Sequence, residues 1–201
     1  KRTVLEVMRQ PLEDRVVTIS RAKFSVEFPA SFQLVASMNP CPCGYFNHPD
    51  KDCVCGPGIV QRYLNKISGP LLDRIDIHVE VTPVNFDELT DKREGEKSTK
   101  IRERVMKARD VQEKRYENDK EIHANAQMST KRLKEVCPLD TASEKLLKTA
   151  MERLDLSARA YDRILKVART VADLGNSENI KPEHIAEAIQ YRSLDRENWA
   201  G

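Results

Sequence analysis

Val35-Ala36-Ser37-Met38-Asn39-Pro40-Cys41-Pro42-Cys43-Gly44 is the stretch on which the reading of this chain turns. It closes a short apolar run, 32–37, whose length and composition predict a buried strand. The run stops at Met38-Asn39-Pro40, because proline offers no ladder donor and restricts the residue before it. Pro, Gly and Cys then crowd residues 40–58, which predicts an irregular loop. Asn39 is thus a short polar side chain expected at the end of a buried strand, where chemistry can use it.

The loop holds two thiol pairs, Cys41-Pro42-Cys43 and Cys53-Val54-Cys55. Two short clips joined by a loop can supply the four soft ligands that tetrahedral Zn²⁺ takes in a closed, structural site. The clips are C-x-C where C-x-x-C is commoner, and His48 between them is able to replace one cysteine. A redox-active disulfide pair and four plain reduced thiols are the other readings. Clustered cysteines in a chain with no secretory pattern point to metal or redox chemistry before structural disulfides, and to the cytoplasm. Cys137, alone near a helix end, reads as a small buried residue.

Upstream of the loop, Val4, Leu5, Met8 and Leu12 share one helical face, and the helix is expected to end near Pro11. A chain that begins inside such a pattern, without an initiator Met, is expected to be a piece of a longer protein. Residues 15–28 alternate apolar and polar, which predicts a β-hairpin with Arg21-Ala22-Lys23 as a basic tip. Downstream, 59–67 reads as a short helix broken by Gly69-Pro70, and 75–81 as a second strand.

Basic and acidic residues then fill most of 92–121, leaving a thin apolar stripe of Ile101, Val105, Ala108, Val111 and Tyr116. This predicts a long solvated helix packed along a narrow seam. The last third is helical. Ser129 is a cap for a helix through Val136, Thr141-Ala142-Ser143-Glu144 has capping-box spacing, Ser157 caps 158–174, and Pro182 opens 183–191. The expected divisions are 1–90, an α/β part with the hairpin and four-Cys loop; 91–127, a charged helical insertion; and 128–201, a helical bundle.

The whole chain has 201 residues and a net charge of +2, so nucleic-acid binding must come from local patches and not bulk charge. No apolar run approaches the roughly 20 residues that span a bilayer, so no membrane is expected. No Gly-Lys dipeptide occurs, which removes a phosphate-binding P-loop. No apolar strand ends in paired carboxylates for Mg²⁺, and neither G-x-S-x-G nor H-E-x-x-H appears. The chain by itself is expected to catalyse nothing.

Four strings carry a resemblance: Arg9-Gln10-Pro11-Leu12-Glu13; 35–44; Ser68-Gly69-Pro70-Leu71-Leu72-Asp73-Arg74-Ile75-Asp76; and Leu156-Ser157-Ala158-Arg159-Ala160-Tyr161-Asp162-Arg163. In that order the chain resembles the back half of an AAA+ ATPase of the magnesium-chelatase-like group, competence-related ComM/YifB branch. The group's Walker A and Walker B elements would lie upstream of Lys1. The resemblance implies an α/β remnant of an AAA+ core followed by an all-α lid bundle, mostly helical overall.

The same resemblance implies roles for single residues. Asn39 would be sensor 1, Arg74 the arginine finger that reaches a neighbouring subunit's nucleotide, and Arg159 sensor 2 on the lid. The hairpin would be the presensor-1 hairpin, with Arg21 and Lys23 as sequence-independent DNA phosphate contacts. The 92–121 helix would be the insertion that repositions the lid. The complete protein would use ATP and Mg²⁺ as a self-assembled ring, a hexamer, hydrolysing ATP to remodel branched or single-stranded DNA. A metal-insertion motor of the magnesium-chelatase type and a non-enzymatic zinc-stabilised interaction module are the alternatives. Each residue also has a local reading: Asn39 capping a turn, Arg74 paired with Asp73 or Asp76, Arg159 solvated, and Arg21 and Lys23 serving solubility.

Overall fold

The computed structural model describes residues 2–84, 90 and 95–192. The chain divides into an N-terminal unit ending at Ile75 and a helical unit beginning at Asp76.

The N-terminal unit opens with two short helices, α1 (Arg2–Val7) and α2 (Arg9–Asp14). Pro11 does not end a helix as expected. It is buried in the first turn of α2, where backbone N–H groups have no intrahelical partner and a missing one costs nothing. The stop comes at Arg15, at φ 58°, whose amide donates to the Pro11 carbonyl over 3.2 Å.

Strands β1 (Val16–Arg21) and β2 (Phe24–Pro29) form the expected antiparallel hairpin. Arg21 pairs with Phe24, so Ala22-Lys23 is a two-residue turn. The register sorts the ribbon into two faces. Val17, Ile19 and Arg21 stand opposite Phe28, Val26 and Phe24 on one, while Thr18 and Ser20 stand opposite Glu27 and Ser25 on the other. The hydroxyls of Ser20 and Ser25 lie 2.9 Å apart across the polar face. The Gln10 amide reaches the Thr18 hydroxyl at 2.9 Å, tying α2 to β1.

An irregular stretch leads to α3 (Ile59–Leu64) and the one-turn α4 (Gly69–Leu72). Gly69-Pro70 separates the two helices and also begins the second, proline being tolerated at a helix start. Leu64, Leu71 and Leu72 are buried in this unit.

Two expected strands are not strands. Residues 32–37 and 75–81 have no ladder partner among the described residues, and β1 and β2 form the one sheet there. Phe32, Leu34, Val35, Ile77, Val79 and Val81 are exposed. An alternating or apolar run becomes a strand only when a neighbour accepts its backbone hydrogen bonds. Around His78, which is buried, the amide instead donates to the Tyr191 carbonyl over 2.8 Å.

The helical unit contains α5 (Ser98–Arg115), a 3-10 turn (Asn125–Gln127), α6 (Thr130–Val136), α7 (Thr141–Arg153), α8 (Ala158–Leu174) and α9 (Pro182–Gln190). Helix α8 is its axis, packed against α5, α6 and α9. Ala160, Ile164, Ala168 and Ala172 recur at i, i+4 spacing and are fully buried, the small residues letting neighbours approach closely. Leu133, Leu147 and Ile185 close the core around them.

Ser129 and Ser157 cap α6 and α8 as expected, accepting from the amides of Arg132 and Ala160. The cap of α7 is Asp140 and not Thr141: its carboxylate accepts from the Ser143 amide at 2.7 Å, which holds its pKa below the usual range. In α5 only Ala108 and Tyr116 of the expected stripe are buried. Gln112 takes the inward place of Val111, because its side-chain oxygen accepts from the Asn125 amide at 3.0 Å. No residue of Ser98–Lys107 is buried. None of the described helices is long and apolar enough to cross a membrane.

Candidate functional site

The loop after Asn39 folds its two thiol pairs onto one point. Cys41 Sγ lies 3.3 Å from Cys43 Sγ and 3.7 Å from Cys53 Sγ, and Cys43 lies 3.5 Å from Cys53. With Cys55 added, all four sulfurs fall within 4.8 Å of one another. None is disulfide-bonded. Four sulfurs each about 2.3 Å from one tetrahedral Zn²⁺ stand roughly 3.8 Å apart. The donor set therefore fits that ion, with no open position for a substrate.

Local backbone explains the convergence. Gly44, at φ +85°, and Asn47, at φ 59°, turn the chain back on itself after the first clip. The turn aims the Phe46 amide at Cys41 Sγ over 3.3 Å. The Tyr45 amide likewise draws the Cys43 thiol down to about 6. Cys53 is pushed up to about 12: the Cys55 amide lowers it, but burial and the sulfurs of Cys43 and Cys41 prevail. Four crowded sulfurs cannot all ionise without a cation among them. His48, read from the sequence as able to replace one cysteine, stands outside the group. Its Nδ1 accepts from the Asp50 amide at 3.0 Å, and its ring meets Tyr45 edge-on at 5.6 Å.

Of the three residues read as nucleotide-facing, Asn39 and Arg74 belong to the N-terminal unit and Arg159 to the helical unit. Asn39 is exposed and ends no strand, so the stiffness expected of a buried-strand amide is absent. Arg74 is the most confined of the three, its side chain 8% exposed. Its Nε lies 3.1 Å from a Glu13 carboxylate oxygen, and Nη1 donates to the Pro70 carbonyl. Of the two partners considered from the sequence, Asp76 pairs with Arg163 at 2.9 Å, within the helical unit. Arg159 is exposed on the first turn of α8. Arg21 and Lys23 are exposed at the hairpin turn, with no ion pair among the described residues.

Sequence reasoning missed two features. Glu13 stands in a quoted string, but nothing in its spacing announces a contact with Arg74. The second is a buried polar cluster in the helical unit. Asp173, its side chain wholly buried, takes a two-pronged contact from Arg115 at 2.6 and 2.7 Å and a third from Arg169 Nε at 3.2 Å. Asn125 donates to Asp173 and Thr170 and accepts from Arg115 and Tyr116. The i, i+4 spacing of Arg169 and Asp173 was a usable signal; the separation of Arg115 from Asp173 was not. A cleft of about 460 Å³ runs beside this cluster. Arg169 spends its remaining donors on the carbonyls of Ser177 and Glu178, so the cluster is a brace and not an anion site.

With this geometry in view, comparison with known proteins gives the class. Residues 1–89 match the model for magnesium chelatase subunit ChlI, and residues 95–192 match that for its C-terminal region. The chain belongs to the magnesium-chelatase-like family, of the ComM/YifB type. Competence protein ComM of Haemophilus influenzae is 41% identical over 98% of this chain and 37% of its own length. YifB of Escherichia coli is 37% identical over 98% of this chain and 38% of its own. YifB of Salmonella typhimurium is 35% identical over the same shares, 98% and 38%. The chain thus spans less than two fifths of the length of these relatives.

Proposed function

We propose that this chain is the sensor and lid portion of a ring-forming AAA+ ATPase that uses ATP to remodel DNA. Its family implies use of ATP and Mg²⁺, and the Walker elements would be supplied by the rest of the complete protein. In this reading 128–201 forms the lid, 91–127 the insertion that repositions it, and four cysteines hold a structural Zn²⁺.

The observation that carries the reading is Arg74. A guanidinium in the turn that follows a one-turn helix, fixed by Glu13 and the Pro70 carbonyl, keeps its planar fork in one orientation. Such a fork, offered to the terminal phosphate of a neighbouring subunit, stabilises the charge that develops during transfer. Arg74 reaches a phosphate only by sharing or releasing Glu13, so this carboxylate sets when the finger is available. Arg159, exposed at the start of α8, would meet the nucleotide from the lid, and Asn39 would orient the attacking water. Arg21 and Lys23, exposed at the hairpin turn, would contact DNA phosphates without reading sequence.

The test uses the complete protein. Arg74→Ala subunits should lose ATP hydrolysis alone and poison wild-type rings on mixing, as a residue acting across a subunit boundary must. Independent, unpoisoned turnover by the wild-type fraction sinks the finger. Anisotropy with forked DNA at two salt concentrations tests the substrate. The family models are those of a chelatase subunit, which favours a metal-insertion motor as the second reading. Failure to bind forked DNA at either salt concentration would select it.

A further inference from the structure

We propose that the four-cysteine cage is a peroxide-reactive switch: hydrogen peroxide joins its two clips as disulfides, Cys43 to Cys53 and Cys41 to Cys55, and the cation leaves. Because Asn39 stands two residues before Cys41, the switch makes nucleotide turnover sensitive to oxidant. The proposal rests on the Zn²⁺ and ATPase readings above and adds a regulation to them.

Exposure divides the cage. Cys41 is wholly buried, while Cys43, Cys53 and Cys55 are half-buried, so a small polar oxidant reaches three of the four sulfurs. Cys43 Sγ and Cys53 Sγ lie 3.5 Å apart. A disulfide is about 2.05 Å long, so closing this pair takes an approach of roughly 1.5 Å. The chain between Pro40 and Gly58 forms no helix or strand that resists such a shift. Cys41 and Cys43 are nearer still, at 3.3 Å, but a bond between them closes a small ring through Pro42, whose φ is locked. A bond across the clips keeps Pro42 out of any such ring. Cys137 marks the contrast. It is 5% exposed, is the helical unit's one cysteine, and donates to the Leu165 carbonyl at 3.9 Å.

The chemistry balances on these sulfurs and peroxide. The Cys43 thiolate attacks one peroxide oxygen, the O–O bond breaks, hydroxide leaves, and Cys43 becomes a sulfenic acid. The Cys53 thiolate then attacks the Cys43 sulfur and displaces a second hydroxide as the S–S bond forms. Two electrons have passed from sulfur to oxygen. A second peroxide takes the other pair through the same steps, with half-buried Cys55 attacking it and Cys41 resolving the sulfenic acid. Four thiolates and two peroxides thus give two disulfides and four hydroxides. No thiolate is left to hold the cation, whose charge is unchanged, and the loop beside Asn39 loses its anchor. Reduction by a dithiol, with Zn²⁺ present, reverses both steps.

The experiment titrates the zinc-loaded full chain with hydrogen peroxide, reading released Zn²⁺ with a colorimetric chelator and free thiols in parallel. One zinc should appear as four of the five thiols are lost, and the four should react at least about tenfold faster than Cys137. Peptide mass spectrometry should find Cys43 joined to Cys53 and Cys41 to Cys55. Cys137→Ser should release zinc as readily as the parent. Dithiothreitol with added Zn²⁺ should restore both counts. In the complete protein, ATP turnover should fall severalfold on oxidation and return on the same reduction.

Zinc that stays bound while peroxide oxidises Cys137 overturns the switch and leaves the structural Zn²⁺ reading standing. Disulfides within a clip, or sulfinic acids in place of disulfides, overturn it as well. Turnover that ignores complete zinc release overturns the regulation. A reduced chain that takes up no zinc defeats the Zn²⁺ reading and the switch together. A complete protein with no turnover before oxidation defeats the ATPase reading and the regulation with it, while the zinc and thiol counts still decide the chemistry of the cage.

Discussion

In the helical unit, Ile164 is wholly buried among Leu133, Leu147, Ile185 and the small residues of α8, all within one apolar cluster. In the N-terminal unit, Cys41 is equally buried, but its neighbours are the sulfurs of Cys43 and Cys53 and the Phe46 amide. The two units are held by different physics. One buries a contiguous hydrophobic cluster drawn from four helices and the turns that flank them, and braces it with Asp173. The other buries three leucines, leaves a hairpin face open, and concentrates its order where four thiols meet. A unit built on periodic helices carries its stability in its own sequence. A unit built on a short sheet and a ligand cage borrows stability from whatever fills the cage and covers the sheet.

Metal removal tests that contrast most strongly. Structural Zn²⁺ sites supply on the order of 10 kcal/mol of apparent binding free energy, and that energy is folding energy. Chelation, or Cys41→Ser, should open 40–58 to proteases while α7, α8 and α9 keep their helical circular dichroism. One zinc per chain should be released in a colorimetric assay. A cysteine loop equally protease-resistant with and without the ion would show that the cage is not what orders it.

The converse perturbation acts on the helical unit alone. Asp173→Ala strands the Arg115 and Arg169 guanidinium groups in the interior, and breaking a buried pair in this way costs about 3–5 kcal/mol. The urea midpoint of the helical unit should fall accordingly, with thiol reactivity of the cysteine loop unchanged. A loss under about 1 kcal/mol would mean that water reaches both cations in the folded state.

How much of this was legible follows the same division. Helices α6, α8 and α9 could be read because their signals are local: Ser129 and Ser157 accept from amides within one turn, and Pro182 suits a first helical position. The hairpin and the clustering of four cysteines were legible for the same reason, though the two-residue length of the turn was not. Residues 32–37 and 75–81 were misread because strand formation depends on a neighbour that sequence periodicity does not supply. Asn39 inherited that error and is exposed. Asp140 displaced Thr141 as a cap because a carboxylate one residue earlier reaches the same amides. The contacts of Arg74 with Glu13 and of Arg115 with Asp173 join residues too distant in sequence for spacing to reveal.

A pH titration probes the apolar core without touching the brace. Burial pushes the Cys137 thiol up to about 11 from an ordinary value of 9.0. Between those values the unfolded chain has lost a proton that the folded unit keeps, so stability falls as pH rises through that window. The loss attributable to this thiol is about 2–3 kcal/mol by pH 11. Other groups titrate there as well, so the measurement is a difference. Cys137→Ala should lose less stability than the parent between pH 9 and 11, and the two should run parallel below pH 8. Parallel curves throughout would place the thiol in contact with water.

The smallest effect lies where the helical unit begins. Asp76 pairs with Arg163, one turn beyond Arg159 on α8, and only Ile75 separates it along the chain from Arg74. Asp76 is 40% exposed and Arg163 13%, so the pair is partly screened and should couple by no more than about 0.5–1 kcal/mol. A double-mutant cycle of Asp76→Ala and Arg163→Ala, read by urea denaturation of the helical unit, measures that term apart from the loss of either side chain's packing. A second link holds the same segment, the His78 amide on the Tyr191 carbonyl, and it involves neither side chain. Coupling within the expected range makes the segment after Arg74 part of the helical unit through two independent ties. Zero coupling removes the side-chain pair from this account and leaves the hydrogen bond between His78 and Tyr191, which the cycle does not perturb.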